Sequence, residues 1–292
     1  MPAPMASAQV SLKNVLFATD FSRHSSEALP YVVSIARKYG STVIAAHVHS
    51  TSPLGAAPPT VELQALAAQA MKEARASMKA LEAPLRGIPH EFIVRDGDIW
   101  GELSSIVEKK GIDLIVVGTH GRAGASKLLM GSVAERILRQ APCPVLTVGP
   151  NVSGEPGSVA DIHTILYPTD FSVESMAAFP YAVSLAQEDH ARLYLLHVIP
   201  EPVDELQETF LKSRIHALIP PDAKLWCEPK VFLESGDPPQ VVLEMAEELA
   251  VDLIVLGTKH VSRFAGTRTH LGMATAYKIV RQAICPVLSV RG

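Results

Sequence analysis

The chain repeats itself. The segment Asn14–Ser22 (NVLFATDFS) returns as Thr164–Ser172 (TILYPTDFS), with Asp20 and Asp170 150 residues apart. Ala45–Val48 (AAHV) returns as Leu195–Val198 (LLHV) at the same offset. Asp113–Thr119 (DLIVVGT) returns as Asp252–Thr258 (DLIVLGT) at an offset of 139, and Ile137–Val148 as Ile279–Val290 at 142. Constant order with a drifting offset means two copies of one unit that differ in loop lengths. At 292 residues the chain has room for two domains of about 150 residues each. The predicted limits are 1–150 and 161–292. The stretch GPNVSGEPGSVA (Gly149–Ala160) has the Gly/Pro/Ser composition of a linker, placed at 151–160.

Within a repeat, short apolar runs alternate with amphipathic ones. In the first copy strands are expected at Val15–Ala18, Thr42–Val48, Phe92–Arg95, Leu114–Val117 and Val145–Val148. Helices are expected at Arg23–Tyr39, closed by Gly40, and at Val61–Leu81, Ile99–Lys110 and Ser132–Gln140. Continuous apolar strands separated by helices imply a parallel sheet buried on both faces. The fold class is therefore α/β, with two doubly wound, five-stranded parallel-sheet domains in tandem. Pro30 and Pro180 fall at equivalent mid-helix places. An interior proline lacks the N–H and costs about 3 kcal/mol, so a kink or a late helix start is expected at both.

Hydrophobic residues are 48% and charged residues 19%, which is globular composition. The net charge of −4 argues against a strongly basic nucleic-acid-coating protein. Cys143, Cys227 and Cys285 form no C-x-x-C pair, so neither a disulfide framework nor a zinc site is expected. The opening MPAPMASAQV has no basic residue and no long apolar core. No apolar run reaches the ~18 residues of a membrane span. A soluble, cytoplasmic protein without membrane contact is expected.

Ligands of open α/β sheets sit beyond the C-terminal strand ends. There the first repeat places GTHGRAGASKLLMGS, Gly118 to Ser132. Its glycines would let backbone approach a ligand, and Gly131–Ser132 opens a helix whose free N–H groups suit a phosphate. Arg122 and Lys127 add positive charge. Taken alone, such glycines are equally consistent with tight turns, and neither a P-loop nor a dinucleotide fingerprint is present.

The run Gly118-x-x-Gly121, nine residues, Gly131-Ser132 resembles the ATP-binding motif of the universal stress protein family. The resemblance extends to ATDFS and YPTDFS, to the HV pairs and to CPVL in both repeats. It implies a Rossmann-like fold of the adenine nucleotide alpha hydrolase type and a stress-response, nucleotide-binding role. It implies an ATP site made by Ala18, Thr19 and Asp20, with Asp20 toward the ribose and the backbone of Val48 reading the adenine edge. Gly118, His120, Gly121 and Arg122 would surround ribose and phosphates, and Gly131, Ser132 and Val133 would cradle the triphosphate. Mg²⁺ would be held mainly by phosphates and water. For Asp20 the alternative is capping of the following helix. The resemblance also implies pairing through the last strands, Leu146–Val148 with Leu288–Val290, as an intramolecular pseudo-dimer or within a homo-oligomer.

The second repeat departs from the motif. His260 replaces the second glycine, and Met273–Ala274 stand where Gly131–Ser132 stand. ATP binding in the family mode is therefore not expected there. A structural role, or anion binding through Arg263, Arg268 and His270, is the alternative. His47 with His49 lacks a third ligand for a metal, and Cys143 and Cys285 read as packing residues. No Ser-His-Asp order, H-E-x-x-H or kinase signature supports catalysis. Slow ATP hydrolysis with Asp20 or His120 orienting water, an interaction module with a vestigial pocket, and a preference for AMP remain the alternatives to ATP-dependent regulation.

Overall fold

The computed structural model describes residues 10–50, 61–119, 130–152, 160–221, 223, 227, 229–259 and 270–292. The loop residues His120, Gly121, Arg122 and Lys127 lie outside them. So do His260, Arg263 and Arg268, and the side chains of His270 and Met273. No helix among the described residues is long and apolar enough to cross a membrane.

Two compact units form. The first, Leu12–Cys143, contains β1 (Asn14–Ala18), α1 (Arg23–Glu27), α2 (Leu29–Tyr39) and β2 (Thr42–His49). It continues with α3 (Val61–Lys79), β3 (His90–Asp96), α4 (Ile99–Lys110), β4 (Leu114–Gly118) and α5 (Ser132–Gln140). Its strands run in the order β3-β2-β1-β4, all parallel, with β1 between β2 and β4. β1 and β4 are almost wholly buried, as their uninterrupted apolar sequences require.

The second unit takes in β5 (Val145–Val148) together with Asp161–Gly292. It contains β6 (Thr164–Pro168), α6 (Val173–Asp189), β7 (Arg192–Ile199), α7 (Glu205–His216) and β8 (Lys230–Ser235). α8 (Pro238–Glu248), β9 (Leu253–Thr258), α9 (His270–Gln282) and β10 (Val287–Arg291) complete it. The order β8-β7-β6-β9-β10 is parallel, and β5 joins at β10 in antiparallel register, Leu146 opposite Leu288. Thr147 Oγ1 also donates to the Val287 carbonyl over 3.1 Å. The closing strands of the two sequence repeats thus pair directly. The compact units do not coincide with the repeats, because β5 lies with the second.

Equivalent residues do equivalent work. Asp113 Oδ2 accepts the backbone N–H groups of Lys13 and Asn14 at 2.8 and 2.9 Å. Asp252 Oδ2 does the same for His163 and Thr164 at 2.8 and 2.9 Å. Each pins the start of the central strand to the start of its neighbour. Arg136 on α5 bridges to Asp98 at the start of α4 (3.2 Å), and Lys278 on α9 bridges to Asp237 at the start of α8 (2.8 Å).

The prolines behave differently in the two copies. Pro30 follows an interruption at Ala28 that divides α1 from α2. Pro180 lies inside an uninterrupted α6, so no late start occurs there. Ala28 keeps φ −83° and ψ −19°, still in the right-handed region. The first-repeat break is therefore a local loosening rather than a change of direction.

Glycine usage also differs. Gly40 and Gly111 end α2 and α4 at φ 62° and 56°. Their second-repeat counterparts are His190 at φ 51° and Ala250 at φ 47°. A left-handed non-glycine residue costs about 1–2 kcal/mol, partly offset by the greater unfolded-state freedom of glycine. Ala250→Gly is therefore expected to stabilise the protein by about 0.5–1 kcal/mol, read as a higher urea midpoint. Gly111→Ala should lower the midpoint by a similar amount.

Candidate functional site

β1 ends in a knot of short-range hydrogen bonds. Thr19 N donates to Ala46 O at 3.0 Å, which carries the ladder one residue beyond the strand. Thr19 Oγ1 lies 3.0 Å from Ser25 Oγ and accepts the N–H of Phe21 at 3.0 Å. The buried His47 places Nδ1 2.8 Å from the Thr19 carbonyl. A carbonyl only accepts, so Nδ1 carries the proton. Phe21 turns the chain at φ 61°, a region most bulky residues avoid, with its ring 4.6 Å from that of His47. Ser22 then caps α1 by accepting the N–H of Ser25 at 3.2 Å.

Asp20 stands at the crest of this turn. Its Oδ1 accepts the N–H of Ser22 at 3.0 Å, an Asx-type bond. It is not the helix cap, because Ser22 fills that place. The turn holds the carboxylate at the C-terminal end of the central strand. Thr19 is buried and its polar groups face the protein itself.

Ala18 is buried and pairs with Ala46 of β2 and Val117 of β4. Val48, two residues beyond Ala46, is also buried and pairs with Arg95 of β3. Beyond β4, Gly131 N donates to Thr119 O at 2.7 Å, which clamps the two ends of the glycine loop together. Gly131 is the N-cap of α5, at φ −61° and ψ 140°, with no side-chain cap. Ser132 and Val133 are the first two residues of that helix, and their N–H groups precede its hydrogen-bond ladder. The end of β4 and the start of α5 thus come together, with the end of β1 beside β4. His120, Gly121 and Arg122 lie outside the described residues.

Gly118 has a packing reason that the sequence alone did not reveal. A Cβ there would stand 2.8 Å from His24 O and 3.1 Å from Ser25 Cα. The first turn of α1 lies directly against it. Gly257 is tighter, with 2.3 Å to Glu174 O and 2.4 Å to Ser175 Cα. This explains why the second repeat keeps that glycine while losing others of the motif. Gly131, by contrast, has a backbone conformation open to any residue.

The second repeat reproduces the knot. Thr169 Oγ1 lies 3.1 Å from Ser175 Oγ and accepts from Phe171 N at 3.0 Å. His197 Nδ1 lies 2.7 Å from Thr169 O, and Phe171 adopts φ 60°. Asp170 Oδ1 accepts Ser172 N at 3.0 Å. Partial burial would raise the Asp170 pKa, but the bonds from Ser172 and Ser175 outweigh it and hold the carboxyl below its ordinary value. The roles of His47, His197, Ser25 and Ser175 went unread in the sequence. The available signal was the joint return of TDFS with HV, which a lone histidine did not reveal.

Beneath the second knot Tyr167, fully buried, donates to Ser175 O at 2.6 Å. Burial pushes its hydroxyl up to about 12. Cys285 is likewise pushed up to about 12 and Cys227 to about 11, both chiefly by burial, which fits packing rather than reactive thiols. Among the described residues no three metal-ligating side chains cluster.

The family model for the universal stress protein family matches residues 11–149 and again 161–291. The chain belongs to the universal stress protein family and carries two of its domains in tandem. A universal stress protein of Methanocaldococcus jannaschii is 33% identical over 138 residues, covering 47% of this chain and 81% of that protein. Universal stress protein A homolog 1 of Coxiella burnetii is 32% identical over 148 residues, covering 47% and 95%. The crystal structure of a universal stress protein from Archaeoglobus fulgidus superposes with a TM-score of 0.68 at 22% identity. It covers 95% of this chain and 98% of its own, which supports the fold.

Two predictions follow from this packing. Gly257→Ala should destabilise by about 1–3 kcal/mol as its Cβ is forced into helix backbone, and Gly118→Ala by less, both read from urea unfolding. The second concerns pH. Unfolded tyrosine ionises near 10, whereas folded Tyr167 stays neutral to about 12. The folded state therefore holds the extra proton between those values. Stability present below pH 10 falls as pH rises toward 12, by up to about 2–3 kcal/mol. Tyr167→Phe, which copies Phe17 of the first repeat, should flatten that fall in urea midpoints taken at about pH 9 and about pH 11.5.

Proposed function

We propose that this chain is a nucleotide-binding stress-response regulator whose first repeat holds ATP. The observation that carries the reading is the 2.7 Å Thr119–Gly131 clamp. It brings a helix start without a side-chain cap to the end of β4, next to the strand that presents Asp20. The residues fit the nucleotide. Asp20 supplies a carboxylate for a ribose hydroxyl, and the backbone of Val48 lies at the strand end assigned to the base. Ser132 and Val133 offer N–H groups and Ser132 a hydroxyl to phosphate oxygens, while Gly131, its own N–H bonded to Thr119 O, leaves room for their approach. The strand-end Gly118 and the loop residues His120, Gly121 and Arg122 complete the set on the family motif. Mg²⁺, where present, supplies charge neutralisation of the phosphates and is held by them and by water.

Thr19 and Ala18 act as scaffold. The threonine's bonds to Ser25, Phe21 and His47 fix the turn on which Asp20 stands. The functional domains are taken as 1–150 and 161–292 joined by 151–160. The β5–β10 pairing supports an intramolecular pseudo-dimer; further association of chains is proposed on the family resemblance alone. The protein acts in the cytoplasm, away from nucleic acid. Among the described residues no group is placed as a base for attack on a γ-phosphate, and regulation through occupancy is proposed over slow hydrolysis.

Mass spectrometry of nucleotide released from freshly purified protein tests this reading. ATP at about one per chain is expected. Asp20→Ala and Gly131→Ala should each lower that occupancy. Gly131 needs no glycine conformation, so Gly131→Ala should cost less than about 1 kcal/mol of stability, and its loss of ATP would report on ligand approach. Protein free of nucleotide, with no thermal shift in Mg-ATP, would favour a vestigial pocket. AMP in place of ATP would revise the ligand, and steady ADP release would establish hydrolysis.

A further inference from the structure

The second repeat contains a cavity of ≈ 210 Å³ at the C-terminal ends of its strands. It lies between the Thr169–Asp170 turn, the ends of β7 and β9, and helices α8 and α9. Its body is apolar, walled by Leu196, Val198, Val242, Leu256 and Ile279. Asp170 and Glu174 also line it, with Lys259 the one cationic side chain among the described lining residues. In the first repeat, position 24 is histidine where the second has Glu174, and position 46 is alanine where the second has Leu196. The second site is thus more apolar along β7 and more acidic at the turn.

The helix that should face a phosphate also differs. Aligned on the shared CPVL segment, Ala274 corresponds to Ser132. α5 begins at Ser132, whereas α9 begins four residues before Ala274, at His270. The N–H groups of Ala274 and Thr275 therefore fall inside the ladder of α9 and are consumed by it. Thr275 and Ala276, which line the cavity, present helix interior rather than an open helix start.

We propose that this cavity is a second ligand site, specific for a small phosphate-free molecule that is neutral or cationic. Such a ligand has a compact apolar body, such as one aromatic ring system, and a hydroxyl or ammonium head. The body fills the space between Leu196, Val242 and Ile279. The head donates to Asp170 and Glu174. The cavity is smaller than the ≈ 300–1,000 Å³ of pockets for drug-sized ligands, which sets the size of the body. Polyphosphates are rejected twice: two carboxylates repel them, and the helix donors that would hold them are already bonded. The site is independent of the ATP reading, since no residue is shared.

The test uses the full chain with ¹³C-labelled Ile, Leu and Val methyl groups. Adenosine, phenethylamine and Mg-ATP are the probes, each raised to about 10 mM, which saturates a site of millimolar Kd. Adenosine or phenethylamine should shift the methyl signals of Val242, Ile279 and Leu196, and Mg-ATP should leave them in place. Any Mg-ATP response should be confined to first-repeat methyls such as those of Val48 and Val133. Its absence there would count against the ATP reading alone. Val242→Phe fills the cavity and should abolish the second-repeat response while the first-repeat spectrum stays unchanged. Glu174→Gln, a partly exposed and milder change, should weaken phenethylamine about tenfold and leave adenosine within twofold or so. Mg-ATP moving the Val242 and Ile279 methyls as strongly as adenosine would overturn the proposal. So would silence of both phosphate-free probes, or phenethylamine binding indifferent to Glu174→Gln.

Discussion

A histidine that donates to a threonine carbonyl decides where the central strand of each repeat ends. His47 reaches Thr19 O from β2, and His197 reaches Thr169 O from β7. With that carbonyl held, the next residues leave the strand direction and turn through a phenylalanine in left-handed conformation. The strain of that turn is of order 1–2 kcal/mol. It is offset by ring contact with the same histidine and by the threonine hydroxyl accepting the phenylalanine N–H. Asp20 and Asp170 owe their positions to this turn. So does the first helical turn, which packs so closely on the end of the neighbouring strand that only glycine fits at 118 and 257.

This dependence separates two kinds of glycine in one motif. Gly118 and Gly257 serve the scaffold and are kept in both repeats. Gly131 opens α5 at the proposed phosphate end, and its equivalent in the second repeat is Met273. Read as composition, all of them look alike. A Cβ at Gly118 or Gly257 would meet helix backbone, whereas Gly131 has an ordinary extended conformation, and the loss of one without the other becomes intelligible.

Much of the fold was legible because its signals are local or periodic. α4, α5 and β5 fall at the expected residues, and the other first-repeat strands differ by one or two positions. Gly40 closes its helix as expected, in the left-handed region. The equivalent proline was less informative: it accompanies a break before Pro30 and none at Pro180. The pairing of β5 with β10 was legible through the family resemblance and not through periodicity, because strand pairing across a repeat boundary leaves no periodic trace. At the site, Asp20, Val48 and the Gly131–Ser132 helix start could be named from spacing and resemblance. The histidine, serine and positive-φ phenylalanine that organise them could not, since their bonds join residues up to 28 positions apart.

The repeats therefore share a scaffold and diverge where a ligand would be read. The magnitudes say which change matters more. A helix start contributes about 0.3–2 kcal/mol through its dipole, whereas each hydrogen bond to a charged group contributes about 1.5–3 kcal/mol. Moving the start of α9 four residues upstream removes several such donors at once. The carboxylate introduced at Glu174 is only partly buried and works through screened solvent. Consumption of backbone donors, rather than the added negative charge, is the larger difference between the two repeats at this helix start. The converse holds in the first repeat. A net charge of −4 is no bar to the proposed polyanion site, because N–H groups at one open helix start act at hydrogen-bond distance while the overall charge acts through water.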